Sequence, residues 1–218
     1  MTMQVAMVGT DGTVLASDRQ VVSTQHHIWQ TYLTRKIRVN QQSDVAVAYA
    51  RNQLGGEAAN RILEKLTADN IGRWHSELRG IGYAVYNDDL EEAETAEVLV
   101  VSPRRPDTIY YLTVGKGGDC CEVLTKKATG DSNNSAVFFA ERYYDGGRPI
   151  AQLAFLAAHT ILTGSILNPA GIKGLDLLFC RPSGFTWATA AELRGYERRS
   201  RELGEQFERT LWSGIAEL

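Results

Sequence analysis

The run MQVAMVGTDGTVLASD, residues 3–18, constrains the fold most, because it is apolar on both faces almost from the start of the chain. Chain ends usually carry polar, fraying residues unless the structure ties them down. Here Val5, Met7, Val8, Val14, Leu15 and Ala16 flank Asp11-Gly12, a dipeptide that favours a tight hairpin turn. Strands that are apolar on both faces are covered on both sides. The N-terminus is therefore expected inside the structure.

The rest of the chain supplies the covering elements. Short strands are expected at about 3–9, 13–18, 35–40 and 44–50, with RQVVSTQHHIWQTYLT as a loop before the third. GGEAANRILEKL follows as a helix with Ala58, Ala59, Ile62, Leu63 and Leu66 on one stripe, and a weaker helix is expected over about 69–78. IGYAVYN reads as a strand, and the acidic residues 88–94 as an exposed tip. AEVLVVS, TIYYLTVG and CCEVLTK are further strands, separated by SPRRPD and GKGGD as turns. GDSNNSAVFFAERYYDGG is a capped helix. IAQLAFLAAHTIL is apolar nearly all round, as a buried helix is, and is too short to span a bilayer. GLDLLFC and GFTWATA return to strand, and a charged helix over about 190–215 closes the chain. Long runs of one element type argue for separate layers: two stacked antiparallel sheets with helices outside, in one domain spanning 1–218.

With 44% hydrophobic and 22% charged residues and a net charge of −3, the chain has the balance of a globular protein and no electrostatic reason to bind nucleic acid or an anionic membrane. The first cationic side chain is Arg19, so no basic n-region of a secretory signal is present. Three cysteines, two of them adjacent, make a poor disulfide framework and fit a reducing cytoplasm.

Within this frame Thr2 stands out. Once freed of Met1, a threonine carries both a hydroxyl and an α-amine, whose pKa of about 7.7–8.0 lets it serve as base for its own side chain. Such a site needs a cation near the hydroxyl, an acid to hold the cation, and backbone N–H groups for the oxyanion. Asp18 lies across the hairpin from Thr2, Lys36 opens the third strand in TRKIRVN, and the run VAVAYARN ends at Ala50 and Arg51, whose N–H groups can point free of the sheet.

At these residues the chain resembles the proteasome β-subunit-type peptidases among the N-terminal-nucleophile hydrolases. The resemblance rests on the N-terminal Thr, DGTVLASD, RKI and VAVAYA, and more loosely on TGDSNNSAVFFAERYYD and NPAGIKGLDLLFC, over about residues 2–185. It implies an α+β, four-layer αββα sandwich that assembles into a ring or related homo-oligomeric array. It also implies a threonine protease: Thr2 as nucleophile and base, Lys36 lowering the hydroxyl pKa, Asp18 orienting Lys36, and Ala50 N–H on the oxyanion. Asp131 and Ser132 fall where the family places serine-rich support for the amine, and Asn168 near a helix-end aspartate with Gly171 near its companion. Asp131 and Asn168 both depart from the family's usual residue types there. The expected activity is cleavage of peptide bonds in unfolded proteins or peptides through an acyl-enzyme. Selectivity would come from assembly and from a pocket near Gln20, Val21 and Ala48. No metal or cofactor is called for, and dependence on an ATP-driven unfoldase is open. A catalytically silent proteasome-like scaffold and an amidase acting on small amides are the alternative readings.

Other features have plainer explanations. His26-His27 show no ligand spacing with His75 or His159. Adjacent Cys120 and Cys121 face opposite sides of a strand. GKGGD lacks the Lys-Ser/Thr and helix of a phosphate loop. Phe138, Phe139, Tyr143 and Tyr144 suit packing, and His159 suits a satisfied place in the core.

Overall fold

The computed structural model describes every residue except 1, 26–27, 51–52, 89–94, 116–119 and 217–218. It is an α+β structure. Along the chain, β1 (Met3–Gly9) and β2 (Gly12–Ser17) form the opening hairpin, and β3 (Gln20–Gln25) and β4 (Ile28–Leu33) a separate two-stranded ribbon. Next come β5 (Ile37–Asn40), β6 (Val45–Ala50), α1 (Gln53–Lys65), α2 (Trp74–Asp88), β7 (Ala96–Ser102), β8 (Arg105–Val114), β9 (Cys120–Leu124) and β10 (Lys126–Gly130). Then α3 (Val137–Tyr143), α4 (Ile150–Leu167), β11 (Asp176–Arg181), β12 (Gly184–Trp187) and α5 (Ala190–Ala216) complete the described chain.

One five-stranded sheet has the order β10-β1-β2-β11-β12, the other β5-β6-β7-β8-β9, and every pairing is antiparallel. Alternation along β1 and β2 explains their continuous apolar sequence. Met3, Val5, Met7, Val14 and Ala16 pack on α4 through Leu153, Ala154, Ala157 and Ile161. Ala6, Val8 and Leu15 face the second sheet and meet Ile37, Ala46, Ala48, Leu99 and Ile109. The second sheet's other face carries α1 and α2, with Ala58, Ile62, Trp74, Leu78, Ile81 and Val85 against Val45, Val47, Val98 and Val100.

Several elements differ from the sequence-based expectation. The hairpin loop is Thr10-Asp11, one residue early: Gly9 pairs with Gly12, and the Asp11 carboxylate accepts the Ile150 N–H (2.7 Å) at the start of α4. The expected loop before Lys36 is mostly the β3–β4 ribbon. IGYAVYN is helical, because Trp74, Leu78, Ile81 and Val85 bury one face at helical spacing. The strand expected in CCEVLTK ends at Leu124, and a new strand from Lys126 crosses to the first sheet to pair with β1. The helix around Phe138 is confined to Val137–Tyr143. At 18 residues α4 is long and apolar enough to span a bilayer by length and composition alone. Nine of its residues are nevertheless buried in the protein, as in a core helix. The histidine pair, the acidic tip beyond Asp88, the GKGGD turn after Gly115, Arg51 and Met1 lie outside the described residues.

Past Ser200, α5 leaves the body of the protein. Leu193 and Tyr196 pack on the α4 side, and Ser200 meets His159 Nδ1 (2.8 Å) in a buried contact. From Arg201 to Ser213 every residue is exposed, including Leu203, Phe207, Leu211 and Trp212.

Candidate active site

Thr2 and Asp18 flank the β1–β2 hairpin of the first sheet, whereas Lys36 immediately precedes β5 of the second. Hairpin pairing brings the first two together: Asp18 N–H donates to the Met3 carbonyl (3.0 Å), and Met3 N–H donates back to Asp18 Oδ1 (2.8 Å). Gln20 N–H donates to Asp18 Oδ2 (2.9 Å). With one backbone N–H on each oxygen, the carboxylate cannot rotate. Lys36 Nζ lies 3.0 and 2.8 Å from its two oxygens and 2.9 Å from Thr2 Oγ1. All three side chains are buried.

This geometry fixes proton direction. An ammonium has three donors and no acceptor. Lys36 therefore donates to Thr2 Oγ1, so the hydroxyl's own proton points away from Lys36, free to be taken by a base on another side. Burial pushes the Lys36 pKa below its usual value, opposed by Asp18; burial likewise raises Asp18, opposed by Lys36. Arg19 and Arg35, the chain neighbours of Asp18 and Lys36, both approach Asp176, at 3.7 and 3.9 Å.

The far side of Thr2 is held by a second set of contacts. Asp131 N–H donates to the Thr2 carbonyl (2.7 Å). The Asp131 carboxylate accepts from Asn134 Nδ2 (3.2 Å) and Asn168 Nδ2 (3.1 Å), and Asn168 Oδ1 accepts the Gly171 N–H (3.1 Å). Asn168 also ends α4, its N–H bonding the Gly164 carbonyl (2.8 Å). The helix end, the 131–134 turn and Thr2 thus form one network, with Ser132 exposed beside it.

Two glycines permit this closeness. A Cβ on Gly130 (φ 86°) would lie 2.0 Å from the Thr2 carbonyl oxygen and 3.3 Å from the Ala50 methyl. One on Gly164 would lie 2.8 Å from Met3 Sδ. The Gly130 contacts place Ala50, at the end of β6, next to Thr2. Of the residues expected to line a pocket, Val21 is half-buried. Gln20 is buried with its Nε2 donating to the Ala170 carbonyl (2.6 Å), and Ala48 is sealed between the sheets as core.

One residue was missed by sequence reasoning. Glu97 on β7 accepts the Gly130 N–H (2.8 Å) through Oε2 and the Tyr111 hydroxyl (2.8 Å) through Oε1. The available signal was a lone acid in AEVLVVS, at a position alternating with Leu99 and Val101 toward the core. Burial holds the Tyr111 phenol up at about 12, so it stays a donor.

No protein-family model matches the sequence, and no curated protein sequence matches it. Solved structures do share its fold. Anbu (ancestral beta-subunit) from Yersinia bercovieri aligns with a TM-score of 0.74 at 16% identity, over 100% of this chain and 98% of the other. A Gly-1 mutant of Anbu from Hyphomicrobium sp. strain MC1 gives 0.72 at 13% identity, over 95% and 97%. Another Anbu structure from that strain gives 0.68 at 13%, over 94% and 97%. The chain therefore has the α+β fold of the Anbu structures.

Proposed function

We propose that this protein is a threonine-type endopeptidase whose nucleophile is Thr2, exposed by removal of Met1. The observation that carries the reading is the Lys36 ammonium, buried, fixed by both oxygens of Asp18 and 2.9 Å from Thr2 Oγ1. A cation so placed favours the alkoxide, and the free α-amine on the same residue takes the hydroxyl proton. Oγ1 then attacks the substrate carbonyl, and the Ala50 N–H receives the developing oxyanion. The ammonium of Thr2 protonates the departing amine, leaving an ester on Thr2 that water hydrolyses with the same amine as base. The Asp131–Asn168 network anchors the Thr2 backbone through these steps.

On this reading the two sheets and their outer helices form a four-layer αββα sandwich, a single domain with α5 as its extension. The substrates are peptides or unfolded polypeptides in the cytoplasm, admitted past Gln20 and Val21. The protein works as a self-compartmentalised homo-oligomer, and the exposed apolar residues of α5 support a subunit contact.

Intact mass of the native protein, read beside hydrolysis of a fluorogenic peptide panel, tests the assignment. Loss of the Met1 mass together with peptide cleavage supports it. A stoichiometric Met1 with no cleavage favours a silent scaffold, and cleavage confined to non-peptide amides favours an amidase. The pH profile gives a second check. The rate rises as the Thr2 amine deprotonates, near the usual α-amine range of about 7.7–8.0. It falls at alkaline pH as Lys36 loses its proton, below the ordinary lysine value of 10.5 because burial lowers it. Lys36→Arg, charged throughout, should lack that alkaline fall; an unchanged profile in this variant would argue against the role of Lys36.

A further inference from the structure

The proposed chemistry is assembled across two sheets. Thr2 and Asp18 ride on the first, Lys36 and Ala50 on the second. The layer between them is largely aliphatic, with Ala6, Val8, Leu15, Ala46, Ala48 and Leu99 among its members. Such packing is non-directional, so it brings the sheets together without fixing their relative slide to tenths of an ångström. Directional links set that. Far from Thr2, Thr13 on β2 donates to the Pro106 carbonyl on β8. At the Thr2 end, Glu97 on β7 accepts the Gly130 N–H at the end of β10.

Glu97 sits where such a link would have most leverage. It is paired across the β6–β7 ladder with Ala50, the proposed oxyanion donor. The backbone it grips, Gly130, is followed by Asp131, whose N–H holds the Thr2 carbonyl. Gly130 is also packed so closely on that carbonyl that a Cβ would overlap it. Its other oxygen is tied to Tyr111 of β8, whose ring is covered by Lys127 Nζ at 4.1 Å from its centroid. The carboxylate is thus braced by its own sheet while it reaches across to the other.

The geometry points to Glu97 as a positioning residue: it docks the Gly130–Asp131 segment on the second sheet and so sets the Thr2 hydroxyl against Lys36 and Ala50. This rests on the peptidase reading for its functional consequence, but not for its structural one. The role is geometric rather than electrostatic. Glutamine can keep it, because its carbonyl oxygen accepts the Gly130 N–H while its amide donates to a reversed Tyr111 hydroxyl.

The test compares Glu97→Ala, Glu97→Gln and Tyr111→Phe in the full, Met1-free protein. It measures kcat and KM per site titrated with an electrophilic peptide, and amide hydrogen exchange over 128–133. A displacement of the nucleophile by about 1 Å costs on the order of a hundredfold. Glu97→Ala should therefore lose roughly 10- to 100-fold in kcat with KM within about threefold, and Asp131 should lose exchange protection. Glu97→Gln should recover kcat to within about threefold, and Tyr111→Phe should fall between. Unchanged kcat and protection in Glu97→Ala would overturn the inference, and so would a glutamine variant as impaired as the alanine one. If Glu97→Ala does not fold, the glutamine and phenylalanine variants decide it by the same measurements. If the wild-type protein neither cleaves peptides nor is labelled at Thr2, the peptidase reading falls. Exchange at Asp131 then decides the docking role alone: loss of protection in Glu97→Ala upholds it, and retention overturns it.

Discussion

On the proposed peptidase mechanism, Thr2→Ala is expected to abolish peptide hydrolysis and covalent labelling by an electrophile such as a peptide epoxyketone. The expected loss exceeds about a thousandfold, since removing a covalent nucleophile removes the acyl-enzyme route itself. The fold should survive, because the structure grips residue 2 by its backbone: Asp131 N–H bonds its carbonyl, and the neighbouring Met3 is paired on both sides. The lost contact is the one from Lys36 Nζ, a cost of about 1–3 kcal/mol if the donor is left unsatisfied. Kinetics, labelling and thermal unfolding on the same preparation check this. Labelling that persists at the wild-type rate would mean another residue is the nucleophile.

Lys36→Ala is the second large effect. The hydroxyl loses its cation, and the expected fall in kcat is on the order of a hundred- to a thousandfold, comparable to removing a preorganised electrostatic group elsewhere. Stability should also fall, because removing one member of a buried pair leaves the other uncompensated, at about 3–5 kcal/mol in general. Asp18 softens this. It keeps the N–H donors of Met3 and Gln20, and its pKa is already raised by burial, so it can take a proton and become neutral. Asp18→Ala loses more: Lys36, whose pKa burial already lowers, can likewise shed its proton, but the N–H groups of Met3 and Gln20 lose their acceptor as well, so this variant should unfold at lower temperature than Lys36→Ala. Calorimetry on the two variants gives the order, and the reverse order would mean that the carboxylate, not the lysine, is the costlier member to leave alone.

What the sequence revealed follows from how local each signal was. The two-faced burial of β1 and β2 could be read because every residue of the two strands except Gln4 is apolar or small. Hairpin geometry then sufficed to bring Asp18 to the start of the chain, whereas Lys36 returns there through the β3–β4 ribbon, whose base closes where the Thr34 N–H bonds the Arg19 carbonyl (2.8 Å). The β3–β4 ribbon escaped because the sequence between its paired residues Gln25 and Ile28 has no glycine or asparagine to mark a hairpin. Residues 81–87 misled through Gly82, Tyr83, Val85 and Tyr86, weak helix formers held helical by the face that packs on the second sheet. The break at Thr125 could not be found locally, since it depends on β10 switching sheets to meet β1. Asp131, Asn168 and Glu97 matter only through such long-range pairings. The first two were legible through resemblance, and Glu97 showed itself only as an acid out of place.

The pairing of β1 and β2 also sets a timetable. Met3 is zipped against Gly130, and Ser17 against Asp176, partners that a ribosome delivers far later. Until then the opening hairpin is a two-stranded unit, marginal in water, and its first residues are open to a trimming aminopeptidase. For the proposed enzyme, maturation thus precedes closure: the amine can be bared while translation continues, and the nascent polypeptide has no gripped hydroxyl with which to cut its neighbours.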